Sequence, residues 1–430
     1  MAVSRIIKRT TEQFSVAVLQ EARVRTNMRI GIVGGGIGGV ALAGSLLQRG
    51  FEVRLFERAP GFGEIGAGIQ MTPNAVKVIK SLGLLDKMLA AGFLPQSLVG
   101  RNWRSGRETF RTPLIETCPV LYDAPFIHIH RADLHAILAS LVPDSVANFG
   151  VSCTGVRQDK NSAVASFSDG SEYEADLIVG ADGVRSVVRA GLFGPEAPRF
   201  TGHMCYRAVV PTGGVVDYVS PDASFWFGPH SHVVTYYVRG GKAVNIVAVA
   251  ETKEWVEESW NAPSSKEEML GAFRGWHRNV ETLFSKVDQV YKWGLFDRDP
   301  MTSWSKGRIT LMGDAAHPML PFLSQGAAMA IEDAYVLAES LKGHGGDVAS
   351  ALRDYEAERL PRTSRVQLEA RERGRTYHLP SPLAQAKRDF MYWLRGLFNP
   401  QATGIQANWV YQYDARAFRP NLSDKPRLVA

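Results

Sequence analysis

A chain of 430 residues with 45% hydrophobic side chains, 21% charged residues and a formal net charge of +6 has the composition of a globular protein. It is long enough for two lobes, because single cores stop growing at roughly 250–300 residues. It shows no apolar run of the roughly 18 residues that a membrane span needs and no signal-peptide pattern, and three cysteines (Cys118, Cys153, Cys205) without metal-type spacing argue against a disulfide framework or zinc site and for a reducing cytoplasm. Lys and Arg scattered among acids describe a mild field that attracts small anions, not a nucleic-acid surface.

Residues 1–27 precede any fold signal and read as an extra helix or as sequence upstream of a start at Met28; Glu12 and Glu21 argue against a transit peptide. From residue 29 the pattern is a strand (RIGIV), a glycine turn, a helix (GVALAGSLLQRG) ended by Gly50, and a strand (FEVRLFE). That is one βαβ unit, which implies a parallel sheet. Its turn, GGGIGG, supplies GxGxxG through Gly34, Gly36 and Gly39, with Gly38 beside them. Glycines there permit a tight turn, close approach of backbone to a pyrophosphate, and packing of helix on strand. Glu57 closes the second strand about 20 residues on, where a carboxylate accepts ribose hydroxyls. The unit points to an adenosine diphosphate moiety and leaves NAD and FAD open.

Residues 126–200 return to this style, with a helix over RADLHAILASLV, short strands near 145–173 and an apolar run that ends at Asp182-Gly183. From about 201 to 300 the pattern alternates. SHVVTYYVRG and KAVNIVAVAE, separated by Gly240-Gly241, predict an antiparallel hairpin, with His232 and Tyr236 on one face of its first strand. The first style resumes at GRITLMGDAAHP, where Gly313-Asp314 ends a strand. A helix over 327–341 stopping at Gly343 follows, then a helical stretch broken at Pro361, and an amphipathic segment (AKRDFMYWLRGLF) that covers the core or a partner. The expected division is an extension 1–27, cofactor-binding parts 28–100, 126–200 and 301–345, a crossover 101–125, a sheet domain 201–300 and a helical region 346–430. An Asp at the carboxyl end of a parallel strand points into the ligand crevice, so Asp182 and Asp314 together suit a long polyhydroxylated ligand.

With GxGxxG, the DG strand and the GD strand in this order, the chain resembles the single-component FAD-dependent aromatic hydroxylases over about residues 28–345. Within them it is most similar to the group of salicylate hydroxylase, 3-hydroxybenzoate 6-hydroxylase and 6-hydroxynicotinate 3-monooxygenase. The matching segments are GAGIQMTPNA (66–75), HRADLH (130–135), HVVTYY (232–237) and GDAAHPMLPFLSQGAAMAIEDA (313–334). The resemblance implies an α/β fold: a Rossmann-like FAD-binding domain with an inserted mixed-sheet substrate domain and C-terminal helices. It implies resident FAD, NAD(P)H as a transient co-substrate, and O2, which forms a flavin C4a-hydroperoxide that hydroxylates a phenolic acid such as salicylate or 3-hydroxybenzoate.

For the cofactor, the resemblance implies Gly36, Gly38, Gly39, Glu57, Arg58 and Cys153 on the adenosine side, with a plain buried cysteine as the alternative for Cys153. Asp182, Arg131 and Asp314 serve the phosphate and ribityl region, and the N–H groups of Gln325, Gly326 and Ala327 face the flavin ring. His317 is read as part of the cofactor loop. For the substrate it implies Gln70, His232, Tyr236 and a carbonyl near Pro321, with His232 and Tyr236 assisting deprotonation of the phenol. A histidine pKa near 6.5 suits that task. Gln70 departs from the hydroxynicotinate enzymes, which carry histidine there, so an N-heteroaromatic acid such as 6-hydroxynicotinate stands as the alternative substrate. An NAD-dependent dehydrogenase and a flavin protein without hydroxylase activity are the rival functions. No metal site is expected, His128, His130 and His135 having no partner set. A cytoplasmic monomer or homodimer without nucleic-acid or membrane partners completes the expectation.

Overall fold

The computed structural model describes residues 27–63, 67–253, 262–398 and 408–422. The expectations for residues 1–26 and for Gly66 of the GAGIQMTPNA segment lie outside them. Five parallel strands form the first sheet, in the order Ile309–Leu311, Leu177–Gly180, Arg29–Val33, Glu52–Glu57, Ala147–Phe149. Leu177–Gly180 and Ile309–Leu311 are buried on both faces, the first a continuous apolar run and the second Ile-Thr-Leu with Thr310 fully buried. A small antiparallel sheet of Cys153–Gln158, Ala163–Phe167 and Glu172–Ala175 accounts for most of the short strands expected near 145–173.

The second large sheet is mixed, as expected. Its eight strands run in the order Ala262–Ser264, Val290–Asp297, Arg199–Pro211, Ala243–Glu251, Ser231–Val238, Ala223–Gly228, Ser97–Asn102, Glu108–Pro113, antiparallel throughout except between Ala223–Gly228 and Ser97–Asn102. Two of its strands thus come from upstream of residue 201. The predicted hairpin forms, with Tyr236 paired to Asn245, and its turn places Arg239, Gly240 and Gly241 at positive φ. Ser231–Val238 is buried along its whole length. Val234 and Tyr236 face the main core, while Val233 and Tyr237 join a second core with Met269, Phe273 and Trp276. Period-two alternation therefore aims His232 and Tyr236 at the rest of the chain, not at solvent.

Two helix expectations are corrected. The helix Gly326–His344 runs through Gly343 and ends at Gly345, which adopts φ +60°. Gly343 serves packing instead: a Cβ there would stand 2.4 Å from the Pro420 ring. Pro361 breaks nothing, because it lies inside the continuous helix Val348–Tyr377. Arg359 and Arg362 flank it and ion-pair with Glu332 and Asp333, so tertiary contacts pin the helix on both sides of the proline. In the amphipathic helix Pro382–Phe398, Gln385, Arg388 and Tyr392 face inward and Phe390, Trp393 and Leu397 stay exposed. No helix among the described residues is long and apolar enough to cross a membrane.

Candidate active site

The carboxyl ends of the parallel strands carry the first cluster. Gly34 takes φ +109° against the Ala181 carbonyl, and a Cβ on Gly39 would fall 1.9 Å from the Gly34 oxygen. Both glycines are required by the fold itself. Gly38 lets the helix Ile37–Gln48 approach Ala330 to a would-be Cβ distance of 3.2 Å. Gly36 differs, since a Cβ there would meet nothing within 4 Å. Its backbone opens on space that a pyrophosphate can enter, which is the third function of such glycines. Glu57 follows, with Oε2 accepting from Gly35 N–H at 2.7 Å and Oε1 from Ala59 N–H at 2.8 Å. Those bonds fix the carboxylate and leave each oxygen a lone pair for a hydroxyl. Arg58 beside it is exposed.

Asp182 divides its role. Its Oδ2 accepts from the N–H groups of Val187 and Val188 at the start of the helix Val187–Phe193, while Oδ1 is buried without a partner. Burial raises its pKa. Cys153 opens the neighbouring small sheet, half-buried, with its thiol pushed up to about 11 by burial.

Asp314 is accessible to solvent and yet surrounded by protein, so that burial raises its pKa while His317 and Arg131 lower it. A carboxylate in that condition lines a cleft. Across the cleft begins the helix Gly326–His344, and a Cβ on Gly326 would lie 3.8 Å from Asp314 Oδ1. Gly326 and Ala327 are half-buried, and a first helical turn presents N–H groups with no intrahelical acceptor. The Gln325 side chain does not enter the cleft: it is buried and bound to Thr72, Asn74 and the Leu323 carbonyl. Arg131, the first residue of Arg131–Ala139, is exposed toward Asp314. Strand end, helix start and arginine thus converge from three places in the sequence.

A small open pocket lies beside them, two residues before Gly326 at Ser324, lined by residues that include Gln70, Phe225, Phe322 and Tyr377. Gln70 Oε1 accepts from Ser324, and its Nε2 is buried without a partner. Pro321 begins the 3-10 turn that supplies Phe322 and Leu323, and its carbonyl accepts from Ser324 N–H. His232 packs behind two pocket walls, its ring 5.4 Å from Phe322 and 5.3 Å from Tyr377. Tyr236 packs against His128, with ring centroids 4.3 Å apart and planes tilted by 38°.

The expectation that His232 titrates near 6.5 is corrected. It is 3% exposed, and burial, with His203 nearby, pushes its pKa down to about 3. The imidazole is neutral at pH 7. Burial likewise raises the Tyr236 hydroxyl. His317 of the cofactor loop is held by Asp333 in the interior.

Sequence reasoning missed two residues here. Asn245 accepts from Gly68 N–H at 2.6 Å beside Tyr236, and the hairpin register, which pairs the two, already carried that signal. His378 contacts His232 at 2.7 Å from the end of a helix 146 residues away, and no local pattern announces it.

The model of the FAD binding domain family matches residues 27–370. The chain belongs to this FAD-binding family. FAD is the cofactor of this family member, and the open Gly36, the cleft-lining Asp314 and the helix start at Gly326 fit it. The chain is 40% identical to the 3-amino-4-hydroxybenzoate 2-monooxygenase of Streptomyces platensis over 90% of its own length and 96% of the relative's. It is 42% identical to the 6-hydroxynicotinate 3-monooxygenase of Pseudomonas fluorescens over 79% and 89% of the two chains. A solved salicylate hydroxylase substrate complex superposes with a TM-score of 0.76 at 29% identity, covering 91% of this chain and 97% of the other. Rossmann-like cofactor domain, mixed sheet and C-terminal helices are the shared architecture.

Proposed function

We infer that this FAD-dependent monooxygenase hydroxylates a phenolic aromatic acid of the salicylate or 3-hydroxybenzoate kind, consuming NAD(P)H and O2. The observation that carries the reading is the adjacency of the Asp314–Gly326 cleft to the pocket walled by Gln70 and Phe322. Relatives named for hydroxylation of aminohydroxybenzoate, hydroxybenzoate and salicylate support it. The similarity to hydroxynicotinate enzymes keeps an N-heteroaromatic acid as the second reading.

Bound FAD supplies hydride acceptance from NAD(P)H and activation of O2; the protein binds, orients and dries the site. Gly36, Gly38, Gly39, Glu57, Arg58 and Cys153 hold the adenosine diphosphate half, and Asp182, Arg131 and Asp314 the phosphate and ribityl half. N–H groups of Gln325, Gly326 and Ala327 stabilise negative charge on the ring edge. Gln70, Pro321, His232 and Tyr236 position the substrate, and His232 receives the phenol's proton at a ring nitrogen. The free thiols suit a reducing cytoplasm. The exposed Phe390, Trp393 and Leu397 suit a homodimer over a monomer.

The test is NAD(P)H oxidation by the FAD-loaded protein against a panel of phenolic and N-heteroaromatic acids, with products identified by mass spectrometry. Stimulation with product formation by a phenolic acid is expected. A panel in which none is converted overturns the reading.

A further inference from the structure

His232 is buried and a poor resting place for a proton, so the proton it takes from a substrate hydroxyl needs an onward path. The structure holds a candidate. His232 Nδ1 and His378 Nε2 are 2.7 Å apart, and their rings stack with centroids 4.9 Å apart. His378 is itself 2% exposed, with Nδ1 unpartnered. Beyond it stand His203 and Glu251, cross-strand partners in the mixed sheet. One ring nitrogen each of His203 and His378 and one carboxylate oxygen of Glu251 lie within 4.8 Å of one another, a gap that one hydrogen-bonded water spans. Glu251 is exposed and hydrogen-bonded to the exposed His230. The row runs from His232, directly behind the Phe322 and Tyr377 walls of the pocket, to solvent at Glu251.

The hydrogen bonds also order the tautomers. Thr201 spends its one hydroxyl hydrogen on the Leu295 carbonyl at 2.8 Å, so at 3.2 Å it accepts from His203 Nδ1–H. That leaves His203 Nε2 as an acceptor. In the tautomer with the His378 hydrogen on Nδ1, His378 Nε2 accepts from His232 Nδ1–H, and His232 Nε2 carries the lone pair that a substrate hydroxyl needs. Burial first, and then the neighbouring His232, His203 and Arg388, the last held by the carbonyls of Thr376 and Tyr377 and by Asp389, push the His378 pKa down. A proton is therefore passed on rather than stored.

We propose that His378 relays the substrate's proton from His232 to solvent at Glu251. The substrate O–H gives its proton to His232 Nε2, His232 gives its Nδ1 proton to His378 Nε2, and His378 gives its Nδ1 proton through water to Glu251 or His203. One proton enters and one leaves, without oxidation. The reverse passage resets the rings when the product's hydroxyl is reprotonated.

The proposal rests on the hydroxylase reading above, and its test separates the two. Stopped-flow absorbance of the full-length, FAD-loaded protein mixed with a phenolic acid follows formation of bound phenolate before any NADH is added. His378→Phe should slow that step and kcat by at least about tenfold. KM should stay within about twofold, added imidazole should restore part of the rate, and flavin reduction by NADH should be unchanged. Glu251→Gln, an exposed change that spares folding, should slow phenolate formation about two- to fivefold and alter its solvent deuterium isotope effect. Wild-type rates in both variants overturn the relay; if His378→Phe fails to bind FAD, Glu251→Gln decides alone. A wild type that converts no phenolic acid sinks the hydroxylase reading instead.

Discussion

The imidazole of His317 and the carboxylate of Asp333 lie 2.6 Å apart in the interior, with 1% and 0% of their side chains exposed. The same carboxylate accepts from Gly313 N–H at 3.0 Å and from Arg359 Nε at 2.8 Å. One helical residue therefore holds the strand end, the histidine of the GDAAHP loop and the following helix. Its neighbour Glu332 binds Arg362 and Asn74, and Asn74 binds Gln325. The network fixes the position from which Asp314 and Gly326 face the cleft.

Asp333→Asn should destabilise the protein by about 3–5 kcal/mol, because it leaves Arg359 short of a buried partner. Denaturant unfolding checks this. Burial raises the Asp333 pKa, but His317 and Arg359 outweigh it and hold the group at about 2. An unfolded aspartate titrates near 3.9. A depressed folded pKa gives stability that is fully present above about pH 4 and lost as pH falls toward 2, by roughly 2–3 kcal/mol. The variant's stability should vary less across that window.

Gly36→Ala and Gly39→Ala should separate binding from folding. The first adds a methyl into open space and should leave the unfolding midpoint of the FAD-free protein unchanged, while raising the FAD Kd at least about tenfold, or 1.4 kcal/mol. The second drives a Cβ against the Gly34 carbonyl and should cost about 3 kcal/mol or more of stability. Calorimetry with FAD titration reads both.

The glycine turn, the two Asp-bearing strand ends and the hairpin were legible because each is a local pattern: Gly, Asp or period two at fixed spacing. Glu57 and Asp314 stood where the strands end. The helix running through Pro361 was not legible, since Arg359 and Arg362 override the proline by pairing with residues some 30 positions upstream. His378 was hidden for the same reason. The depressed titration of His232 has no local signal, because its burial comes in part from Phe322 and Tyr377, brought in by other parts of the chain.

His232→Ala should lower kcat for hydroxylation about 10²–10⁴-fold, the usual range for loss of acid–base help, and leave FAD bound. Tyr236→Phe should slow the same step with FAD equally retained. Steady-state kinetics beside flavin absorbance measure both effects, and unchanged turnover in both variants removes their roles.

The most direct measurement is incorporation of isotopically labelled O2 by the FAD-loaded protein turning over NAD(P)H with a phenolic acid. One labelled oxygen atom in the aromatic product is the predicted result. Nicotinamide oxidation that yields only labelled peroxide or water across the whole panel would contradict the account.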